Sequence, residues 1–302
     1  MARFLVSGLI NLETTLQIDQ FPIEYNPVRY PFYGVSSSVS GVGMNVAQAL
    51  AVLGNDVELI SIIGQDIVGQ IACKAIHHPQ IDVSGILSLL TETPQSVILY
   101  DRYGKRQINV DLKDIQEHSY PIDCFLTKLD SCDAVILCNI NFSRPLLRYA
   151  NDRDKLIATD VHAVSSLDNT YDREFMEAAD ILFMSDEQLP CPADEWLDNV
   201  MATCRAQVIV IGMGSKGALL GDREMNNIEH FPAANTRPVI NTIGAGDALF
   251  ASFMHAYIKS HNVRKSLKRA MIFASYKIGT NGAAAGFLSD GQLEDLFIQL
   301  YK

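Results

Sequence analysis

One glycine-rich turn and the acid that follows it are the clearest chemistry in this 302-residue sequence. In Asn241-Thr242-Ile243-Gly244-Ala245-Gly246-Asp247-Ala248-Leu249-Phe250, small residues run directly into an amphipathic helix. The first N–H groups of a helix have no intrahelical partner and lie at the positive end of its dipole, and glycines let a ligand's oxygens approach the backbone. Gly244, Ala245 and Gly246 are therefore expected to form an anion hole, with Asp247 in the first helical turn beside it. A carboxylate held ionised there by the dipole cannot strip an alcohol of its proton outright. It can orient a hydroxyl and accept the proton late, as a bond to phosphorus develops, while the N–H groups stabilise the transferred oxygens. The same residues would also serve as a tight turn closed by a capping Asp.

Two further glycine clusters stand near helix or strand ends. Ser40-Gly41-Val42-Gly43-Met44-Asn45 precedes a helix and puts Asn45, which both donates and accepts, in its first turn, as a polyhydroxylated ligand would require; a plain helix cap has the same residues. Gly212-Met213-Gly214-Ser215-Lys216-Gly217 matches G-x-G-x-x-G, but the chain continues Ala218-Leu219-Leu220-Gly221-Asp222 instead of opening a helix. A dinucleotide fingerprint needs that helix and a later acidic residue, so a nicotinamide oxidoreductase rests on these glycines alone. Walker and nucleophile-elbow sequences are absent, and the histidines are scattered.

The elements that must position these residues follow from periodicity. Apolar runs at Phe4–Ser7, Val57–Ile63, Ala134–Cys138, Leu156–Thr159, Ile181–Met184 and Val208–Ile211 alternate with helical patterns such as 44–53, which predicts an α/β fold with a parallel sheet. Helices are expected at about 247–260, 263–279 and 291–301. Residues 11–38 and 92–112 break the alternation. The second reads as a hairpin, 96–100 against 107–110, turning at Arg102-Tyr103-Gly104-Lys105. These segments would either pair as a small covering sheet or remain surface loops.

Composition narrows the classes. Lys and Arg number 24 against 35 Asp and Glu, a net charge of -11 with no basic block, which argues against a nucleic-acid surface. Apolar residues make up 48%, as in a globular protein. No apolar run reaches membrane-spanning length, and the six cysteines show neither C-x-x-C nor zinc spacing, so free thiols and a cytoplasmic address are expected.

With the 244–247 turn, Gly41-Val42-Gly43-Met44-Asn45 and Ile63-Gly64-Gln65-Asp66-Ile67-Val68-Gly69 in this order, the sequence resembles the ribokinase-like carbohydrate kinases, the PfkB family, over nearly its whole length. The resemblance implies a single three-layer α/β/α domain with a small β-sheet lid built from 11–38 and 92–112, a lid that often also forms a dimer surface. It implies Asp247 as catalytic base, Gly244, Ala245 and Gly246 as anion hole, and Asn11, Glu13, Gly41 and Asn45 as sugar contacts. Glu13 stands where relatives carry Asp. It further implies Ser185, Gly212, Gly214, Ser215 and Gly217 beside ATP. Asn241 replaces a usual Asp, removing a charge from any monovalent-cation site. Ser185-Asp186-Glu187-Gln188 replaces an Asn-x-x-Glu that organises Mg2+, leaving Asp186 or Glu187 as neighbours for it.

The expected activity is therefore ATP-dependent, Mg2+-assisted phosphorylation of a hydroxymethyl group on a sugar or nucleoside, without nucleic-acid or membrane partners. Asn139 and Asn141 are candidates to reach a ribose or base. The alternative is a weakly active or inactive relative that binds such a molecule as a sensor.

Overall fold

Alternation along β1 (Arg3–Ser7) sets the plan of the protein: Phe4 and Val6 enter one hydrophobic core and Leu5 enters another on the opposite face. The computed structural model describes residues 1–103 and 105–301. The remaining parallel strands of the central sheet are β4 (Asp56–Gly64), β5 (Ile81–Leu90), β8 (Ala134–Leu137), β9 (Leu156–Ala163), β10 (Ile181–Ser185) and β11 (Val208–Gly212). Antiparallel β12 (Ala218–Asp222) and β13 (Asn227–Phe231) extend one edge, giving the order β13-β12-β11-β10-β9-β8-β1-β4-β5.

Strands buried on both faces read as nearly unbroken Val, Ile and Leu, and this is why they were visible in the sequence. Edge strand β5 was not, because Asp82, Ser84 and Ser88 interrupt its apolar residues and only Ile81, Gly85 and Leu90 of the ten are buried. One core packs α1 (Val42–Val52), α7 (Ala245–Ser260), α8 (Val263–Lys277) and α9 (Asp290–Tyr301) against the sheet; α2 (Ile67–Ala75) adds Ala72. The other packs α3 (Ile122–Leu129), α4 (Arg144–Asn151), α5 (Thr170–Ala178) and α6 (Ala193–Thr203). The result is the expected three-layer α/β/α arrangement.

The two irregular segments do pair. β2 (Asn11–Gln17), β3 (Val35–Ser40), β6 (Gln95–Tyr100) and β7 (Arg106–Asp111) form a second sheet in the order β3-β2-β6-β7, with β2 parallel to β6 and the other pairs antiparallel. In the expected turn at 102–105, Gly104 lies outside the described residues; Asp101 Oδ1 accepts from the N–H groups of Tyr103 and Lys105 at 2.9 and 3.0 Å. Ile98 of β6 is buried with Ile243 and Ala283, which lays this sheet across the glycine-rich turn before α7.

Candidate active site

The site forms at the C-terminal ends of the parallel strands, where open α/β sheets gather ligands. Asn11 and Glu13 alternate along β2 and so face the same side, both buried. The Ser40 hydroxyl lies 3.1 Å from Glu13 Oε2 and 3.2 Å from Asn45 Oδ1, and Asn45 Nδ2 donates to Asp247 Oδ2 at 2.7 Å. A continuous polar chain therefore runs from β2 through α1 to α7. Asn11 Nδ2 donates to Ser96 Oγ at 3.1 Å. Asn11 Oδ1 and Glu13 Oε1 are left buried without a protein partner, an arrangement that costs stability unless a ligand donates to them.

Gly244 caps α7 with φ 73, in the left-handed region that glycine adopts without steric cost. Among the described residues, the N–H groups of Gly244, Gly246 and Asp247 have no protein acceptor. Ala245 departs from the expectation: its N–H closes the turn on Thr242 O at 3.2 Å, so this amide is already engaged within the protein. A side chain at Gly246 would meet only Asp160 Oδ2, at 3.9 Å, and the approach to that amide stays open.

Asp247 corrects a second expectation. Burial pushes its carboxyl above the ordinary range; the Asn45 N–H and the charges of His162 and Lys277 draw it back, while Asp160 adds to the rise. Desolvation here outweighs the stabilisation expected from the helix start. Burial also raises Glu13, against the Ser40 hydroxyl and Lys277 and reinforced by Asp247.

Gly41 caps α1, and the next amides of the helix are engaged: Gly43 and Met44 donate to Leu9 O at 3.1 and 3.4 Å. The second glycine turn thus packs α1 against the end of β1 and delivers Asn45 to the site. The 212–217 segment is a hairpin containing the single 3-10 turn Gly214–Lys216, not a helix start, which removes the dinucleotide reading. Ser185 pairs in register with Gly212, and Gly212 with Ala218, so Ser185, Gly212, Gly214, Ser215 and Gly217 gather at the ends of β10 and β11. Asn241 has both ends of its side chain engaged, by Asn281 Oδ1 at 3.0 Å and the Ile243 N–H at 3.2 Å. Asn139 donates to Asp172 at 2.8 Å and Asn141 to the carbonyl of Gln116; only Asn139 Oδ1 keeps a free buried acceptor.

Several residues of the site escaped the sequence reading. Lys277 of α8 is fully buried and donates to Ile243 O. Arg106 of β7 donates to the carbonyl and hydroxyl of Thr242 and pairs with Glu187 at 3.1 Å, tying the second sheet to the turn. His162 Nδ1 lies 3.7 Å from Asp160 Oδ2 beside Asp247. A cavity of about 680 Å³ between residues 17–34 and Arg102 contains none of these groups.

Fold and site together define an α/β protein with a glycine turn whose amides of Gly244, Gly246 and Asp247 lack protein acceptors, next to a buried acid. The pfkB family carbohydrate kinase model matches residues 32–290, and the chain belongs to that family. It is 25% identical over 304 residues to an ATP-dependent ribose-1-phosphate kinase of Halopiger xanaduensis, and 24% identical over 307 residues to a deoxyribokinase of Salmonella typhi, each alignment spanning 96% of both chains. In structure it resembles a microbiome-derived acarbose kinase with a TM-score of 0.88 at 22% identity, covering 98% of this chain and 99% of that one. Its architecture is that of the ribokinase-like kinases.

Proposed function

We propose that the chain transfers the γ-phosphoryl group of ATP to a hydroxymethyl group of a pentose-type sugar or of a nucleoside that contains one. The observation that carries this reading is the buried Asp247 at the start of α7, beside three backbone N–H groups without protein partners. The acceptor hydroxyl donates to Asp247, and its oxygen attacks the γ-phosphorus in line. The bond from that phosphorus to the β–γ bridging oxygen breaks, ADP leaves with the electron pair, and the proton passes to Asp247. The raised affinity of Asp247 for a proton suits a late acceptor. The amides of Gly244, Gly246 and Asp247 stabilise the equatorial oxygens in flight.

Asn11 Oδ1 and Glu13 Oε1 accept from sugar hydroxyls, and Asn45 keeps Asp247 in orientation. Ser185, Gly212, Gly214, Ser215 and Gly217 border the nucleotide. Among the described residues, no group of three His, Cys, Asp or Glu is arranged to hold a metal. That donor set fits a cation that arrives on phosphates and meets one or two carboxylates. Asp186 and Glu187 would hold Mg2+, which neutralises phosphate charge when bound. The relatives named for ribose 1-phosphate and deoxyribose support a pentose acceptor.

Among the described residues, no helix is long and apolar enough to cross a membrane. We place the protein in the cytoplasm on its six free cysteines. Exposed Val35, Val97, Ile108 and Val110 on the second sheet support a dimer through that sheet, which sedimentation at two concentrations would reveal.

The test is ADP formation with ATP and Mg2+ across a panel of pentoses, pentose phosphates and nucleosides. Formation that depends on one acceptor is expected. Binding of a sugar or nucleoside without ADP formation would favour the sensor reading, motivated by the altered Ser185–Gln188 segment.

A further inference from the structure

A lysine with no exposed surface is unusual, because removing an ammonium from water is costly and an apolar side chain of the same volume is often more stabilising. Lys277 is such a residue, at the last turn of α8 and directly beneath the anion-binding turn. Its ammonium donates to the carbonyl of Ile243. That carbonyl and the N–H of Gly244 belong to one peptide unit, and in a trans peptide the two point in opposite directions. Fixing the oxygen on the buried side therefore fixes the Gly244 N–H on the other side, where it has no protein acceptor among the described residues. A charge on the carbonyl also polarises the unit and makes its N–H a stronger donor.

We propose that Lys277 is a positioning residue for phosphoryl transfer, aiming and polarising the Gly244 N–H through the peptide it shares with the Ile243 carbonyl. The proposal rests on the kinase reading above. It gives the turn a cation supplied by the chain itself, next to Asn241, whose side chain carries no charge.

The charges around Lys277 come from four directions. Burial brings it down to about 8; Asp247 on α7 and Glu13 on β2 oppose this, and Arg106 on β7 and Arg237 after β13 add to it. Deprotonating Asp247 or Glu13 as pH rises creates the proton acceptor rather than removing it, and arginines ionise well above that pH. A loss of turnover as pH rises through about 8 would therefore report deprotonation of Lys277.

The test compares full-length wild type, Lys277→Met and Lys277→Ala with ATP, Mg2+ and the acceptor that wild type uses. Met fills the space without charge, and its melting midpoint is expected to equal or exceed that of wild type. Its kcat should fall by about 10²-fold, the loss typical of one oxyanion donor, with little change in acceptor KM. The alkaline limb of wild type should vanish, and ethylammonium should restore part of the turnover of Lys277→Ala. Wild-type kcat in Lys277→Met, an unchanged alkaline limb, or a loss confined to KM would overturn the proposal. So would loss of both fold and turnover with no recovery in ethylammonium, since Lys277 would then be purely structural. If wild type itself forms no ADP with any acceptor, the kinase reading fails; wild-type turnover matched by Lys277→Met defeats this inference alone.

Discussion

Asn45 Nδ2 donates to Asp247 Oδ2 across 2.7 Å, joining residues 202 positions apart in the chain. Through this bond α1 and α7 set both the orientation of the carboxylate and its proton affinity. Favouring the ionised form, it partly offsets the burial that raises Asp247.

Replacing Asn45 by Ala removes that offset and moves Asp247 further up. The acid limb of kcat/KM should then shift to higher pH, read from the pH–rate profile. The sign for stability follows from the same shift. A carboxyl whose folded value is raised favours folding while protonated, and that contribution is lost as pH rises through the folded value. Asn45→Ala should accordingly be less stable, relative to wild type, above that value than below it. Superimposable profiles would show that Asn45 does not tune the base.

The hairpin bordering the proposed nucleotide site separates two glycines. Gly217 has φ 102, and a Cβ there would lie 2.0 Å from Phe231 O, so Gly217→Ala should lose about 1–3 kcal/mol in urea unfolding. At Gly212 the nearest atom to a Cβ is Met184 O at 3.7 Å, so Gly212→Ala should remain within about 0.5 kcal/mol of wild type. If ATP lies over this glycine, the same variant should raise the KM for ATP.

Arg106 reaches from the second sheet to Thr242 and Glu187. Its pair with Glu187, whose side chain is 62% exposed, contributes at most about 1 kcal/mol to stability. Arg106→Met should therefore melt near wild type while kcat/KM falls about 10- to 100-fold, because the turn it steadies must hold the phosphoryl group to within a fraction of an ångström. Unchanged kcat/KM would make Arg106 a surface contact only.

The central sheet was legible because strands buried on both faces carry unbroken apolar runs, and Gly244 to Asp247 because their meaning is local: a turn, a helix start and an acid. The pairing of β2 with β6 was open, since two irregular segments more than 50 residues apart reveal a shared sheet only through tertiary contact. Ala245 was misassigned because sequence does not say which amide of a turn closes on Thr242. Asp247 was misjudged because its burial comes from elements distant in the chain. Lys277 left one faint signal: it continues the buried stripe Ala270 and Phe273 at spacings of three and four, where a charge is out of place.

The central claim is that Asp247 takes the acceptor's proton beside the free amides of Gly244 and Gly246. Its most direct test is steady-state turnover of Asp247→Asn with the best acceptor, alongside that acceptor's effect on the melting midpoint. The account predicts a fall in kcat of about 10²- to 10⁴-fold, a melting midpoint at or above that of wild type at neutral pH because a buried charge is gone, and acceptor binding retained. Wild-type turnover in Asp247→Asn would contradict it.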